Sequence, residues 1–335
     1  MSVHWGGRGA GHVSRWSPLI LGVPTLDLNF AASPVLDSRI TFARSSAATV
    51  IDSSGVMQSA AVNAPRFDYD PVTLQPRGLL LEETRSNVLL NSLLSGVNLS
   101  TQSVTVSAVV YTLSFYGTGT ITLTGAHSAT VTGTGAFPAR RVLTFTPGIG
   151  ALLLTVSGTV QFAQLEVGAF ATSFIPTTGI LASRSGDVAT ITGANFSSWY
   201  NQNEGTFVVE GITSPRTTSA AVAEHAIELS GTLRMVRGGG SISLGWNIGS
   251  STFSSFGVTA ANLQFKSAAA YRAANNAASL GGSVPLTDAG STYGTPTLLG
   301  IGCNVGGGQQ FNGHIRAIRY FNRRLANTQL QTLST

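Results

Sequence analysis

Two pairs of carboxylates could in principle hydrolyse a sugar chain, and one of them has a suitable spacing. Asp68 and Asp70 alternate along an extended segment and therefore lie on one side of it, whereas Glu82 and Glu83 are adjacent and point in opposite directions. Glycosidic bonds are hydrolysed by two carboxyl groups about 5–10 Å apart, one acting as a general acid and the other as a base or nucleophile. These acids are the candidates for a glycoside hydrolase site.

The arginines around these acids offer a structural explanation for them. Arginine and carboxylate groups form bidentate ion pairs, which can stabilise a small module with little apolar core. The arginines near the acids in the sequence are Arg44, Arg66 and Arg85. We favour this structural role, and we assign one to the isolated Glu166 as well.

Motifs of conventional catalytic sites are missing from the sequence. It contains no Gly-x-Ser-x-Gly elbow, no His-Glu-x-x-His and no P-loop, and Gly300–Gly306 differs by one residue from the dinucleotide fingerprint. His225 and His314 have no second ligand at metal spacing. Cys303 is the only cysteine, which excludes a disulfide framework and a cysteine-based zinc site. We therefore expect no metal, no cofactor, no catalytic residues and no enzymatic activity.

A second set of residues has the composition of a sugar-binding surface. Flat aromatic rings pack against the apolar faces of pyranoses, and amide side chains hydrogen-bond the hydroxyl groups. The candidates for glycan binding are Trp199, Trp246, Asn247 and Tyr293. The alternative is that both tryptophans fill a hydrophobic core.

The charge pattern argues against nucleic acid and membrane partners. Charged residues make up 10% of the chain, and the net charge of +5 comes from scattered arginines, with Lys266 the only lysine. A nucleic-acid surface usually shows a basic stripe with interleaved aromatic residues. No apolar run reaches membrane-spanning length, and Met1–Arg15 lacks the apolar centre of a signal peptide. We expect a protein made in the cytoplasm without membrane insertion.

Alternating residues and turn signals predict an all-β protein. Tyr111–Tyr116 and Thr120–Thr124 alternate on either side of Gly117–Gly119, which predicts a hairpin. Similar short segments, in which Thr and Ser alternate with Val, Leu and Ile, continue to residue 321. Leu325–Leu333 is the only predicted helix. The fold class is therefore all-β, with tandem β-sandwich or jelly-roll modules and a short C-terminal helix.

Composition divides the chain into four parts. Residues 25–92 hold most of the charge density, residues 93–178 have the strand spacing of a sandwich, and residues 179–335 predict a jelly roll. Residues 1–24 form a Gly-rich arm that is either a mobile terminus or a docking segment. Tryptophans exposed on a free arm are unfavourable in water, so we expect the arm to bind another chain. Its candidate attachment residues are Trp5, Arg8, Arg15 and Trp16.

Three stretches of the chain resemble known modules. Phe42–Gly55, Asn63–Pro71 and Gly78–Ser92 together resemble a module of bacteriophage head-spike and tail-fibre proteins. The segments Tyr111–Gly119, Ala163–Gly168 and Thr172–Thr177 are similar to the carbohydrate-binding-module-like sandwich that usually follows it. Phe311–Leu325 looks like the last strand of a laminin-G or concanavalin-A-like lectin domain.

The resemblance implies a virion structural protein, assembled in the host cytoplasm. Residues 1–24 would then dock on capsid, portal or tail components, and the lectin-like domain would bind host surface polysaccharide. Weak binding of this kind gains strength from multiple copies, and we expect a homotrimer. Two alternatives are open: a purely architectural decoration protein of the capsid or tail, and a capsule depolymerase.

Overall fold

A computed structural model describes residues 22–217, 223–230, 232–238, 243–253, 260–290 and 292–335. The predicted attachment residues, which are Trp5, Arg8, Arg15 and Trp16, lie outside the described residues. The described chain is built of antiparallel β-sheets with two short helices, which confirms the predicted all-β fold class. No helix among these residues is long and apolar enough to cross a membrane.

The strands before residue 170 are, in chain order, β1 Leu26–Asn29, β2 Thr41–Ala43, β3 Ala48–Ile51, β4 Met57–Ala60, β5 Phe67–Tyr69, β6 Pro76–Leu81, β7 Arg85–Asn87, β8 Gln102–Val106, β9 Tyr111–Tyr116, β10 Thr120–Gly125, β11 Ala129–Thr132, β12 Arg141–Phe145, β13 Gly150–Ser157 and β14 Gln161–Val167. The later elements are β15 Ala182–Arg184, β16 Val188–Thr192, α1 Gly193–Ser197, β17 Glu204–Ile212, β18 Ala223–Leu229, β19 Leu233–Gly238, β20 Leu244–Ile248, β21 Ser251–Phe253, β22 Gln264–Arg272, β23 Asn276–Leu280, β24 Leu286–Asp288, β25 Leu298–Ile301, β26 Gly313–Phe321 and α2 Asn327–Leu333.

The middle of the chain forms a small β-sandwich with its own core. One sheet has the strand order β11-β10-β13-β8 and the other has the order β12-β9-β14. Alternate residues of each strand face inward, as Leu113 and Phe115 of β9 and Ile121 and Leu123 of β10 show. The opposite face of β9, which carries Thr112, Ser114 and Tyr116, is also buried.

The predicted hairpin between β9 and β10 is wrong, although both strands exist. β9 pairs with β12 and β14, whereas β10 pairs with β11 and β13 in the opposite sheet. The turn at Gly117–Gly119 carries the chain from one sheet to the other. A side chain at Gly119 would place Cβ only 2.4 Å from the carbonyl oxygen of Ser157, so this crossing requires glycine.

A larger sandwich of two sheets encloses the main core. Its first sheet has the order β24-β23-β22-β17-β26-β6-β5, with β1 also paired to β26, and its second has the order β2-β16-β25-β18-β19-β20-β21. Segment 25–92 therefore contributes strands to both sheets of the C-terminal jelly roll. Leu28 and Leu81 from this segment lie in the same core as Phe207 and Ile318. The charge-rich N-terminal segment thus shares its core with the C-terminal part of the chain.

Two short helices complete the fold. The predicted C-terminal helix is present as α2, and its buried Leu330 packs with Ala268, Ala270 and Ala277 of the large sheet. The sequence predicted only this helix, but the chain also forms the single-turn helix α1, which buries Phe196.

Candidate functional site

A cleft of about 550 Å³ lies between the small sandwich and the large sheet of the jelly roll. One wall comes from strands β5, β6 and β26, and the other comes from β9, β12 and the loop that precedes β12. The segment 169–174, which follows β14, also lines the cleft. The site is therefore assembled from parts of the chain that are distant in sequence.

The jelly-roll wall carries a buried acid–imidazole pair. Asp68, Leu80 and His314 line the cleft, whereas Leu79 and Ile315 alternate with them and point into the core. Nε2 of His314 lies 2.8 Å from Oδ2 of Asp68, and Oδ1 of Asp68 accepts a hydrogen bond of 2.8 Å from the backbone N–H of Ile51. Both side chains of the pair are therefore held in defined orientations.

The sandwich wall combines aromatic rings with a guanidinium group. The rings of Tyr116 and Phe137 lie 5.2 Å apart, and the guanidinium of Arg140 lies 5.9 Å from the centre of the Tyr116 ring. Nη1 of Arg140 donates to the carbonyl oxygen of Thr172, and Nη2 donates to Oγ of Ser114, each at 2.7 Å. These contacts orient the guanidinium beside a ring, a favourable cation–π arrangement.

Two buried carboxylates anchor the segment 169–174. The backbone N–H of Ser173 donates to Glu82 at 2.7 Å, and the backbone N–H of Thr172 donates to Glu166 at 3.0 Å. Burial raises the pKa of the Glu166 carboxyl to about 7, although nearby arginines oppose the shift. Burial also opposes ionisation of Glu82, but the charges of Arg184 and Arg66 outweigh it and hold its pKa well below the usual range.

A buried ion network lies behind the cleft. Nη1 of Arg66 contacts Glu82 at 2.7 Å, and its Nη2 contacts Asp187 at 2.5 Å. Oδ1 of Asp187 also lies 3.0 Å from Nη1 of Arg44, and Oε2 of Glu82 lies 3.0 Å from Nη1 of Arg184. All of these side chains are almost completely buried, so each charge depends on its partners in the network.

The predicted structural role of the acids is largely confirmed. Glu82 pairs with Arg66, and Glu83 pairs with Arg85 at 2.6 Å. Asp70 pairs with Arg77 at 3.0 Å and caps the turn after β5. Arg44 differs from the prediction, since its partner is Asp187.

Asp68 also differs from the prediction. The sequence predicted an arginine partner for it, whereas the structure pairs Asp68 with His314, a residue that the sequence analysis considered only as a metal ligand. Among the described residues, no group of three or more His, Cys, Asp or Glu side chains is arranged to hold a metal ion.

The two tryptophans proposed for glycan binding lie in the jelly-roll core. Trp199 is 4% exposed and Trp246 is 1% exposed. Nε1 of Trp246 donates to Oγ of Ser267 at 2.8 Å, deep between the two sheets. The structure thus corrects the proposal that these rings face a ligand, because neither presents a face to the surface. Both positions agree with the alternative that the tryptophans fill a hydrophobic core.

The other two proposed glycan-binding residues lie nearer the surface but outside the cleft. Asn247 accepts from Nε of Arg234 at 3.2 Å and donates to Thr252 at 3.0 Å. Tyr293 is half-buried, and its hydroxyl donates to Oδ1 of Asn276 at 2.6 Å. Both side chains are engaged within the jelly roll, and neither lines the cleft.

Sequence analysis missed Tyr116, Phe137 and Arg140 as site residues. Tyr116 is one alternating residue of a predicted strand, and Phe137 and Arg140 lie in a connection without a recognisable motif. Their types alone carry no signal, because they acquire a common role only when the sandwich packs against the jelly roll.

Comparisons with known proteins do not assign a family. No family model matches the chain, and no curated protein matches it. A mutant of the NanB sialidase of Streptococcus pneumoniae is 12% identical, with a TM-score of 0.34 over 44% of this chain and 26% of that one. Trypanosoma rangeli sialidase in complex with sialic acid is 12% identical, with a TM-score of 0.32 over 73% of this chain and 55% of that one.

A third similar structure is the heptameric SAP-like pentraxin of Limulus polyphemus. It is 14% identical, with a TM-score of 0.28 over 40% of this chain and 70% of that one. The chain spans only about a quarter of the length of the NanB sialidase and about half of the Trypanosoma enzyme. Likenesses this weak assign neither an activity nor a ligand to the chain.

One prediction is nevertheless corrected. The missing catalytic motifs were used to exclude an enzyme, but sialidases, which are enzymes, are among the solved structures similar to this chain. The missing motifs therefore do not exclude an enzyme, and these weak likenesses do not assign an enzymatic activity to the chain. Catalytic groups are defined by their arrangement in space, and a missing sequence motif does not rule out such an arrangement.

Proposed function

We propose that this chain is a glycan-binding structural protein of a bacteriophage particle, either a head spike or a tail fibre, and that polysaccharide of the host surface binds in the cleft. The virion role is supported by the resemblance of residues 42–92 to head-spike and tail-fibre modules. The cleft is the observation that carries the binding role.

The chemistry of the cleft suits a sugar. Phe137 is partly exposed and offers an apolar ring at the wall, and Tyr69 lies on the opposite side. Arg140, His314 and Asn262 place hydrogen-bond donors and acceptors around the same space. Ligand sites are typically concave and largely apolar, with a few polar groups that fix orientation, and a volume of about 550 Å³ suits an oligosaccharide segment of a few residues.

A binding experiment on the cleft tests this proposal. We expect the full chain to bind a subset of bacterial polysaccharides on a glycan array, and Phe137→Ala to weaken that binding about tenfold while thermal unfolding stays cooperative. Asn247→Ala is the matched control, because it changes a proposed glycan-binding residue outside the cleft.

The outcomes separate the candidate functions. Loss of binding only in Asn247→Ala would move the site back to the jelly-roll surface. No binding across the array would favour the architectural alternative. Shortened oligosaccharides after incubation would favour a depolymerase.

Attachment to the particle belongs to residues 1–24 in this proposal. Other virion proteins, from the capsid, portal or tail, are the partners, and a homotrimer would present several clefts at once. A chain that lacks residues 1–24 should fold and bind glycan but fail to enter particles. Normal incorporation of the shortened chain would refute this role for the arm.

A further inference from the structure

Arg140 differs from the other arginines around the cleft in its partners. Arg66, Arg77, Arg85 and Arg184 each form an ion pair with a carboxylate. Arg140 instead donates to two neutral oxygens, the carbonyl of Thr172 and the hydroxyl of Ser114. No described carboxylate lies within the 4.0 Å ion-pair distance of this guanidinium.

Arg140 also retains hydrogen-bonding capacity. A guanidinium has five N–H donors, and two nitrogens of Arg140 make the two hydrogen bonds above. Its third nitrogen, Nε, is buried without a hydrogen-bond partner in the described part of the chain. The side chain is thus oriented by its neighbours, and its charge has no carboxylate partner within ion-pair distance in the described part of the chain.

Glu166 is a source of negative charge near Arg140, because the charge of Arg140 helps to lower the pKa of this carboxyl. Its carboxylate already accepts from the backbone and hydroxyl of Thr172 and from Gln164. Burial nevertheless raises its pKa to about 7, so near neutral pH a large fraction of this group is uncharged. Glu166 therefore compensates the charge of Arg140 only in part.

We infer that the cleft selects an acidic glycan, in which a carboxylate or sulfate on the sugar pairs with the guanidinium of Arg140. This inference rests on the proposed function, since it names the class of glycan that the same cleft takes. Guanidinium groups bind two oxygens of a carboxylate or sulfate group through paired N–H donors, and a partly buried site strengthens the attraction by excluding water. The partly exposed Phe137 ring, which packs against Tyr116, provides an apolar surface for the sugar ring itself.

The inference is tested on a mixed array of neutral, uronate-containing and sulfated glycans. We expect the full chain to bind acidic glycans, and Arg140→Gln to weaken that binding by tenfold or more. Arg140→Lys, which keeps the charge, should retain part of the affinity. Arg141→Gln is the control, because Arg141 is the adjacent arginine, is exposed and does not line the cleft.

Two further readouts separate recognition from folding. Raising the salt concentration should weaken binding of the unmodified chain more steeply than binding of Arg140→Gln, because only the former uses the ion pair. Chemical reduction of the carboxyl groups of a bound uronate glycan to neutral alcohols should abolish the difference in affinity between the unmodified chain and Arg140→Gln. The same treatment leaves sulfate groups in place, so a sulfated glycan should still show that difference.

The results distinguish this inference from the function on which it rests. Binding to neutral glycans alone, with equal affinities for Arg140→Gln and Arg141→Gln, would overturn the acidic specificity and leave glycan binding in place. Absence of binding to every glycan class would overturn both.

Discussion

Nε2 of His314 lies 2.8 Å from Oδ2 of Asp68, although 246 positions separate the two residues in the chain. Strand β6 lies between the two strands that carry them. Gly78 in β6 is paired with Asp68, and a Cβ there would lie 2.4 Å from the carbonyl oxygen of Ile315. A glycine with positive φ at this position therefore permits the close approach that joins the pair across the sheet.

A double-mutant cycle should detect the coupling between these two residues. We expect Asp68→Asn and His314→Gln each to lower the free energy of unfolding by about 1–3 kcal/mol, since each leaves a buried polar partner poorly satisfied. The double substitution should lower the free energy of unfolding by about 1 kcal/mol less than the sum of the two single effects, as measured by urea unfolding. Strict additivity would show that the two side chains do not stabilise one another.

The buried ion network should be sensitive to removal of a single member. Arg66→Met leaves the carboxylates of Glu82 and Asp187 without their shared partner, so we expect a loss of about 3–5 kcal/mol in the free energy of unfolding. Arg39→Met is the control, because its pair with Asp37 is 29% and 28% exposed. That substitution should cost no more than about 1 kcal/mol, and equal losses for both would contradict a special role of burial.

The stability of the chain should carry a pH dependence that originates from Glu166. Its pKa is about 7 in the folded chain and 4.5 ordinarily, so between these values the folded state binds more protons than the unfolded state. The contribution of Glu166 to stability is therefore fully present below pH 4.5 and is lost as the pH rises through about 7. The difference between the two pKa values corresponds to about 3 kcal/mol in the free energy of unfolding.

Urea unfolding of the unmodified chain and of Glu166→Gln between pH 4.5 and 8 measures this contribution. Other acids titrate in both proteins, so the difference between their free energies of unfolding isolates Glu166. We expect that difference to decrease by about 3 kcal/mol with rising pH. A difference that is constant across the range would show that Glu166 is not the group that titrates.

Local sequence patterns predicted the strands correctly but did not predict which strands pair with one another. The alternation in Tyr111–Tyr116 and Thr120–Thr124 correctly predicted β9 and β10, because alternate residues of a strand face opposite sides. The pattern is the same whether two successive strands form a hairpin or belong to opposing sheets. Only packing of the two sheets shows that the turn at Gly117–Gly119 crosses between them.

Residue type alone likewise leaves the role of an aromatic side chain open. Trp199 and Trp246 have neighbours typical of a sugar-binding loop, yet both are buried between the sheets. A tryptophan can fill a core or line a surface, and the choice depends on which face of its strand or turn is covered.

Sequence patterns predicted the all-β architecture and the pairs of Glu82 with Arg66 and of Glu83 with Arg85, because strand periodicity and charge pairs within one segment are local properties. The position of the cleft and the residues that line it depend on how distant strands pack together. Asp68, Arg140 and His314 meet there because the small sandwich packs against a sheet formed from both ends of the described chain. The pair of Asp68 and His314 shows the reason, since contacts across hundreds of positions depend on strand register and sheet order rather than on sequence spacing.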